Sequence, residues 1–364
     1  PMDVWLKLHI ILMLVAFGGL FPLGIIMGVT KHRFHVPTQL LAIVLSVLGI
    51  VLGHVHGGRV FPHSAHATGA NWVVLMIIVQ AGIGVFLKRY RAPTTLRLVA
   101  KLGHRTIGML WFVVGGVQCA LGLITYMGYC GDTHTGNCLA HEIMGSSIAT
   151  YGVASHLTAS GQGRRWLRPS SSLKSRSLDW IDAWLITVWG VFNTFTEHRW
   201  GQAWNHTDLQ HTSMGVLWWA GGAAALLSLL HRPDQRTPLP ALVIFFTGAG
   251  MVAHHQHMEI GVMTHAWFGK SLMAAGGVRL VEMALEEGGL GGKAQGSAEH
   301  RVLPMLRRFS GLLLVVAGLL FCGSTEQALA SVAGNGLDVV TYMNGIIALG
   351  FAVLAYVEGL VYVY

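Results

Sequence analysis

WLKLHIILMLVAFGGLFPLGIIMGVTKHRFHVPTQLLAIVLSVLGIVLGH, residues 5–54, is two apolar runs, 5–29 and 37–54, joined by a basic turn that carries Lys31 and Arg33. About 20 apolar residues, rising 1.5 Å each, cross a hydrocarbon core roughly 30 Å thick. The stretch therefore reads as a membrane-spanning helical hairpin. Working outward, further apolar runs fall near 70–87, 104–127, 141–157, 179–196, 211–230, 239–257, 263–284, 304–323 and 338–364. With the first two they make about eleven spans, an all-α polytopic transmembrane helical bundle. Composition agrees. Only 11% of the 364 residues are charged and 53% are hydrophobic, against about 25% charged in a soluble domain. Mean hydropathy is +0.55. A soluble enzyme, a disordered chain and a coiled coil are excluded, and the net charge of +8 belongs to loops beside lipid rather than to a nucleic-acid interface.

Two breaks organise the chain. The Ser/Arg-rich segment 158–178 separates a front block, 1–157, from a second block, 179–364, which the Gly-rich run 288–298 interrupts. The last two spans carry almost no reactive side chains and read as packing helices. The first span carries informative residues, so it reads as part of the fold and not as a targeting segment. Alternate loops collect the cations: Lys31 and Arg33; Lys88, Arg89, Arg91, Arg97 and Lys101; Arg164, Arg165, Arg168, Lys174 and Arg176; Arg232 and Arg236; Lys293, Arg301, Arg307 and Arg308. Positive-inside bias places those loops in the cytosol, the N-terminus on the outer or lumenal side and the C-terminus in the cytosol. The plasma membrane and an endomembrane or vacuole both suit that topology. Cys130 and Cys138 then share an outer, oxidising loop and are candidate disulfide partners, while Cys119 and Cys322 read as apolar filler.

Histidine stands out, with 20 against 16 acidic residues. An imidazole inside a membrane needs a partner. In the front block His9 lies near the start of the first span, His35 at the start of the second, His66 just before the third and His104 at the start of the fourth. Because successive helices reverse direction, His9 and His66 share one membrane face and His35 and His104 the other. Facing imidazoles are what a low-spin b-type haem needs as axial ligands. The surroundings repeat: Gln80 follows His66 by fourteen residues and Gln118 follows His104 by fourteen. Gly108, one turn after His104, removes bulk where a flat ring would approach. A lone intramembrane histidine is more often a hydrogen-bonded core residue than a ligand. Four at consecutive helix starts, with duplicated Gln spacing, favour haem.

The motifs LHIILM and FPLGI in the first span, FHVPTQ at the second and HRTIG at His104 make the block 1–157 resemble the cytochrome b561 family. The resemblance implies a four-helix core with two b-type haems, one on His9 and His66 and one on His35 and His104, with His35–Gln39 and His104–Gly108 as matching cues. His66 departs from the pattern, since its glycine, Gly69, comes one residue early. That leaves His63 as a substitute ligand, with His54 and His56 as weaker competitors; His32 reads as structural. The resemblance further implies a cytosolic one-electron donor, ascorbate by analogy, bound among Lys31, Arg33, Lys88, Arg91, Arg97 and Lys101, where cations attract an anionic reductant. Those same residues have an ordinary role as orientation determinants.

The second block concentrates polar residues at predicted outer ends: Glu197 and His198; His206, Asp208 and His211; His254, His255, His257 and Glu259; His265. The arrangement resembles the C-terminal half of a fungal membrane-protein family of poorly defined role. Glu197, His198, Asp208, His211, His255, His257 and His265 are the expected metal ligands, for Zn, Cu or Fe, with Met214, Met251, Met258 and Met263 nearby. Two further readings stand beside it. H-x-x-x-G recurs at His141–Gly145, His211–Gly215 and His265–Gly269, which fits a further haem, or close helix packing; the histidines can also bond loops and headgroups.

Transmembrane electron transfer from a cytosolic reductant to an outer acceptor, ferric or cupric ion, is the leading expectation, making the chain an ascorbate-dependent oxidoreductase in a lipid membrane. The competing one is a divalent-metal transporter or sensor without redox chemistry. Metal routes usually need ionisable groups at mid-membrane depth, and here the midspans read apolar. No Gly-rich dinucleotide motif, phosphate loop or arginine ladder is present. Whether two copies associate is left open.

Overall fold

A computed structural model describes residues 3–91, 93–131, 135–161, 163, 177–198, 201–232, 234–254, 256, 258–287 and 299–364. They form twelve helices and, among the described residues, no strand. In chain order these are α1 Val4–Val29, α2 His35–Val55, α3 Ala65–Arg89, α4 Thr94–Met127, α5 Thr135–Thr158, α6 Leu178–Thr196, α7 His206–Leu229, α8 Leu239–Val252, α9 Glu259–Leu285, α10 Glu299–Cys322, α11 Glu326–Gly334 and α12 Val339–Val363. Seven of them, α1 to α4, α7, α10 (from Val302) and α12, are long and apolar enough to cross a membrane. This is a polytopic helical membrane protein. Of the eleven expected spans, the four that fall on α5, α6, α8 and α9 are not among these seven. α8 stops at Val252, with His254 beyond its end, and α11 is an additional short helix.

Local chemistry sets the ends. Asp3 caps α1, its carboxylate accepting the Leu6 N–H at 2.8 Å. Ser64 caps α3 and Thr325 caps α11 in the same way. α1 widens into a π-turn at Ala16–Leu20 just ahead of Pro22, which has no N–H to continue the ladder. α4 runs 34 residues and ends on Gly128 at φ 75°, the left-handed cap position that glycine fills without strain.

The chain divides into two compact units, residues 1–131 with 359–364, and residues 132–358. In the first, α1 and α2 make one hairpin and α3 and α4 another. Their shared core sits at mid-span and consists of Ala16, Phe21, Ala42, Val73 and Trp111, with Phe17 packed against it. Phe17 stacks on Trp111 with ring centroids 5.7 Å apart, and Phe21 meets Trp111 at 5.1 Å.

The second unit is built from three antiparallel helix pairs, each meshed through small residues seven apart. On α5 and α10, Gly145 opposes Gly318 and Gly152 opposes Gly311. On α7 and α6, Gly215 opposes Gly190 and Gly222 opposes Ala183. On α9 and α8, Gly269 opposes Gly248 and Gly276 opposes Ala241. In each pair a methyl group on the glycine would strike the partner backbone; on Gly145 it would lie 2.6 Å from the Gly318 carbonyl oxygen. Small residues let helices approach closely, and a seven-residue period keeps the seam facing its partner. α5, which the sequence reading placed in the front block ending at 157, therefore belongs with α10.

One end of this unit holds a buried charge network. Arg279 Nη2 lies 2.7 Å from Asp179 Oδ1 and 3.6 Å from Asp182, and Tyr151 OH donates to Asp182 at 2.8 Å. Arg236 reaches Asp179 at 3.2 Å, Glu282 at 3.1 Å and also Glu286. Arg307 donates to Glu282 at 2.6 Å. Arg236 and Arg307, read from sequence as loop cations, are thus tied to carboxylates.

Candidate functional site

The front histidines come together as two pairs. His9 on α1 faces His66 on α3 with ring centroids 6.3 Å apart at 83°, and His35 on α2 faces His104 on α4 at 6.3 Å and 85°. Each pair takes one ring from each hairpin. His9 Nδ1 donates to the Gly49 carbonyl at 2.7 Å, His35 Nδ1 to Gly24 at 2.7 Å and His66 Nδ1 to Gln118 at 3.1 Å. A carbonyl oxygen can only accept, so the proton sits on Nδ1 and the Nε2 lone pair is free to bind a metal. His104 Nδ1 is buried without a partner among the described residues, while its own carbonyl accepts from Gln80 Nε2 at 2.8 Å.

A glycine backs every ring. A methyl group on Gly53 would lie 2.8 Å from His9, on Gly28 2.8 Å from His35, on Gly122 3.0 Å from His66 and on Gly84 3.3 Å from His104. Each of these glycines follows by four residues the position whose carbonyl or side chain braces the same histidine: Gly49, Gly24, Gln118 and Gln80. Neither this register nor its glycines was read from sequence; the glycine at four residues from a shared acceptor was the signal available. Two imidazoles bound to one metal atom at about 2 Å each put their centroids roughly 6 Å apart, so each pair has the donor set and the spacing for a single metal atom.

Several expected site residues do other work. Gly108 makes room for the Gln80 side chain, not for a flat ring, since a methyl there would lie 3.1 Å from Gln80 Nε2. Gln39 ties α2 to α1 through the Phe21 carbonyl at 3.4 Å. His104 lies ten residues inside α4 rather than at its start. His63 is exposed, His54 Nδ1 bonds its own helix at the Ile50 carbonyl, and His56 packs edge-on against Phe61. Of the expected cationic rim, Lys31, Arg33, Lys88, Arg91 and Lys101 are exposed. Arg97 is engaged, holding the end of α3 by donating to the Leu87 and Tyr90 carbonyls at 2.9 Å each. Cys130 and Cys138 are in disulfide form, and Cys119 and Cys322 are free thiols.

In the second unit the expected ligands separate into pairs. His211 Nδ1 lies 3.0 Å from Glu197, and His198 Nδ1 lies 2.9 Å from Asp208. His198 also stacks on Trp204 at 3.8 Å. His265 faces His141 at 6.1 Å and 83°; His254 lies 5.7 Å from His265 and stacks on His211 at 5.1 Å. His255 and His257 lie outside the described residues. Among the described residues no three His, Cys, Asp or Glu side chains gather around one metal position. The glycines of the three H-x-x-x-G repeats serve helix packing, as their opposed backbones require.

Comparison with known proteins corrects the resemblance drawn from sequence. Residues 114–364 match the family model for "Protein YTP1-like, C-terminal", and residues 1–90 match a domain of unknown function, DUF2427. No cytochrome b561 family model matches; the histidine and glutamine cues were too short to carry that assignment. YTP1 of Saccharomyces cerevisiae is 35% identical over 294 residues, 78% of this chain and 60% of that protein. An uncharacterized membrane protein of Schizosaccharomyces pombe is 22% identical, covering 94% of this chain and 90% of its own. A second uncharacterized membrane protein of S. cerevisiae is 25% identical over 78% of this chain and 46% of its own. The chain thus spans 60% of the length of YTP1. No solved structure matches.

Proposed function

The chain belongs to the YTP1-like family, and we propose that its first unit carries electrons across the membrane on two bis-imidazole haem sites, His9 with His66 and His35 with His104. One observation carries the reading: two histidine pairs with the same 6.3 Å separation and near-perpendicular rings, each drawn from two hairpins. Along α1, His9 and the Gly24–Gly28 turn that backs His35 are about 17 residues apart, or roughly 25 Å. That separation fits one pair in each leaflet. When bound, haem iron supplies one-electron storage at each end.

The chain's own residues do the rest. Nδ1 bonds to Gly49, Gly24 and Gln118 hold the rings in the tautomer that presents Nε2. Gly28, Gly53, Gly84 and Gly122 keep the ring faces clear of side chains. Phe17, Phe21 and Trp111 pack together in an apolar core between the pairs. Positive-inside bias supports an outer N-terminus, which puts His35 and His104 on the cytosolic side beside exposed Lys31, Arg33, Lys88, Arg91 and Lys101. Those cations favour an anionic one-electron donor, for which ascorbate is the probe; ferric or cupric ion at the outer face is the matching acceptor.

The test is optical. Purified protein shows a b-type spectrum that ascorbate reduces, and joint replacement of His35 and His104 by Leu removes one haem per chain and stops transfer into ferricyanide-loaded vesicles. A preparation with no Soret band after expression with haem supplied overturns the reading.

A further inference from the structure

We propose that His141 and His265 bind a single copper(I) ion in the second unit, at a two-imidazole site separate from the pairs of the first. The donor atoms are set. His141 Nδ1 donates to the Asn137 carbonyl at 2.8 Å and His265 Nδ1 to Gly261 at 2.9 Å, each within its own helix. Both Nε2 lone pairs are thereby free. The rings stand 6.1 Å apart at 83°, the spacing of two imidazoles sharing one metal atom at about 2 Å each.

What surrounds them differs from the first unit and selects the occupant. Among the described residues no glycine has either ring among its nearest neighbours. Gly145 and Gly269, one turn beyond the histidines, are sealed by the backbones of α10 and α8. Phe321 stacks flat on His141 at 4.5 Å and lies 6.4 Å from His265. His265 is 2% exposed. These contacts close the flanks against a macrocycle and leave room for a bare ion. Half-buried His141 gives the ion its way in.

Charge and coordination number then narrow the ion. Burying an ion in low dielectric is costly, and the cost rises with the square of its charge, so a monovalent cation is favoured over a divalent one. Zinc takes four ligands, and the described residues supply no third protein ligand here. Copper(I) is content with two opposed nitrogens. The core that Phe321 belongs to is soft as well: Met251 is buried in the same cluster, with Met144 and Met214 packed against it. Because copper(II) needs further ligands that the described residues do not supply, the site suits the reduced ion.

The experiment loads the purified full chain with copper(I) under anaerobic conditions against a chromogenic copper(I) chelator, then measures retained copper, zinc and haem per chain. One retained copper is expected, with an X-ray absorption edge characteristic of two nitrogen ligands. H265A and H141Q should each weaken copper retention by about 100-fold or more while remaining monodisperse and keeping their haem content; H211A should keep the copper. Loss of one haem in H265A, or copper retained equally by wild type and both variants, overturns the proposal, as does wild type that retains none. Absence of haem from every sample would sink the electron-transfer reading and leave the copper result standing.

Discussion

His66 and Gln118 clasp one another: His66 Nδ1 donates to the Gln118 carbonyl at 3.1 Å, and Gln118 Nε2 donates back to the His66 carbonyl at 2.8 Å. The exchange locks α3 to α4 at the ring that faces His9. A side chain that fixes a metal-binding imidazole in place contributes to affinity without touching the metal. Replacing Gln118 by Leu removes one half of the clasp and leaves the backbone half. The expected result is haem loss from the His9/His66 site alone, with affinity down about 10–100-fold and the other haem retained. Haem release to apomyoglobin measures it; simultaneous loss of both haems would contradict the assignment.

The glycines facing the rings predict an all-or-none contrast. A methyl on Gly53 would lie 2.8 Å from His9 Nδ1 and one on Gly28 2.8 Å from His35, closer than nonbonded carbon and nitrogen tolerate, so the ring must move. G53A and G28A should each reduce haem content by one while helicity by circular dichroism stays unchanged. A methyl on Gly116 would meet nothing within 4 Å, so G116A should keep both haems and gain the slight helix stabilisation of an alanine.

The spans and the four front histidines were legible because both signals are local: hydropathy over about 20 residues and direction reversal at each turn. The braces were not. Gln80 and Gln118 stood out by spacing, but which backbone they reach depends on how two hairpins dock, and periodicity carries no such information. Arg279 and Glu282 went unread for a related reason. The partners of Arg279, Asp179 and Asp182, lie on α6, about a hundred residues away in sequence, and those of Glu282 are Arg236 and Arg307, although R-x-x-E and D-x-x-D inside apolar helices mark one polar face each. The H-x-x-x-G repeats gave a mixed message: the glycines belong to helix packing at Gly145, Gly215 and Gly269, whereas His141 and His265 do meet. The short motifs that suggested a cytochrome b561 relation describe how a histidine sits in a helix, which unrelated families can share.

Asp3 predicts an acid-sensitive corner. Its carboxylate accepts from the Leu6 N–H at 2.8 Å and from the Gly57 N–H at 2.7 Å, capping α1 and pinning the loop after α2. The Leu6 bond first, then Gly57 and nearby His56, hold its pKa below the ordinary carboxylate value. A depressed folded-state pKa means stability that is fully present above the unfolded value and lost as pH falls through the folded one. Thermal unfolding of wild type and D3N should therefore differ at neutral pH and converge in the range below about pH 4. A difference that does not narrow at all as pH falls below the ordinary carboxylate value would show that Asp3 acts by packing rather than by charge.

Arg279 carries the largest expected stability effect. It is 7% exposed and neutralises Asp179, itself 1% exposed, at 2.7 Å. Removing one partner of a buried ion pair costs about 3–5 kcal/mol, mainly because the other charge is left unpaired. Arg279→Met should accordingly lower the thermal midpoint sharply. Asp182→Asn should be milder, since the amide oxygen can still accept from Tyr151 OH, which now bonds Asp182 at 2.8 Å. Combining Arg279→Met with Asp179→Asn should recover part of the loss, because the orphaned carboxylate is gone. Fluorescence-detected unfolding of wild type, Arg279→Met, Asp179→Asn and the double variant in one detergent measures the cycle, and strict additivity of the two changes would mean that Arg236, not Arg279, is the cation that balances Asp179.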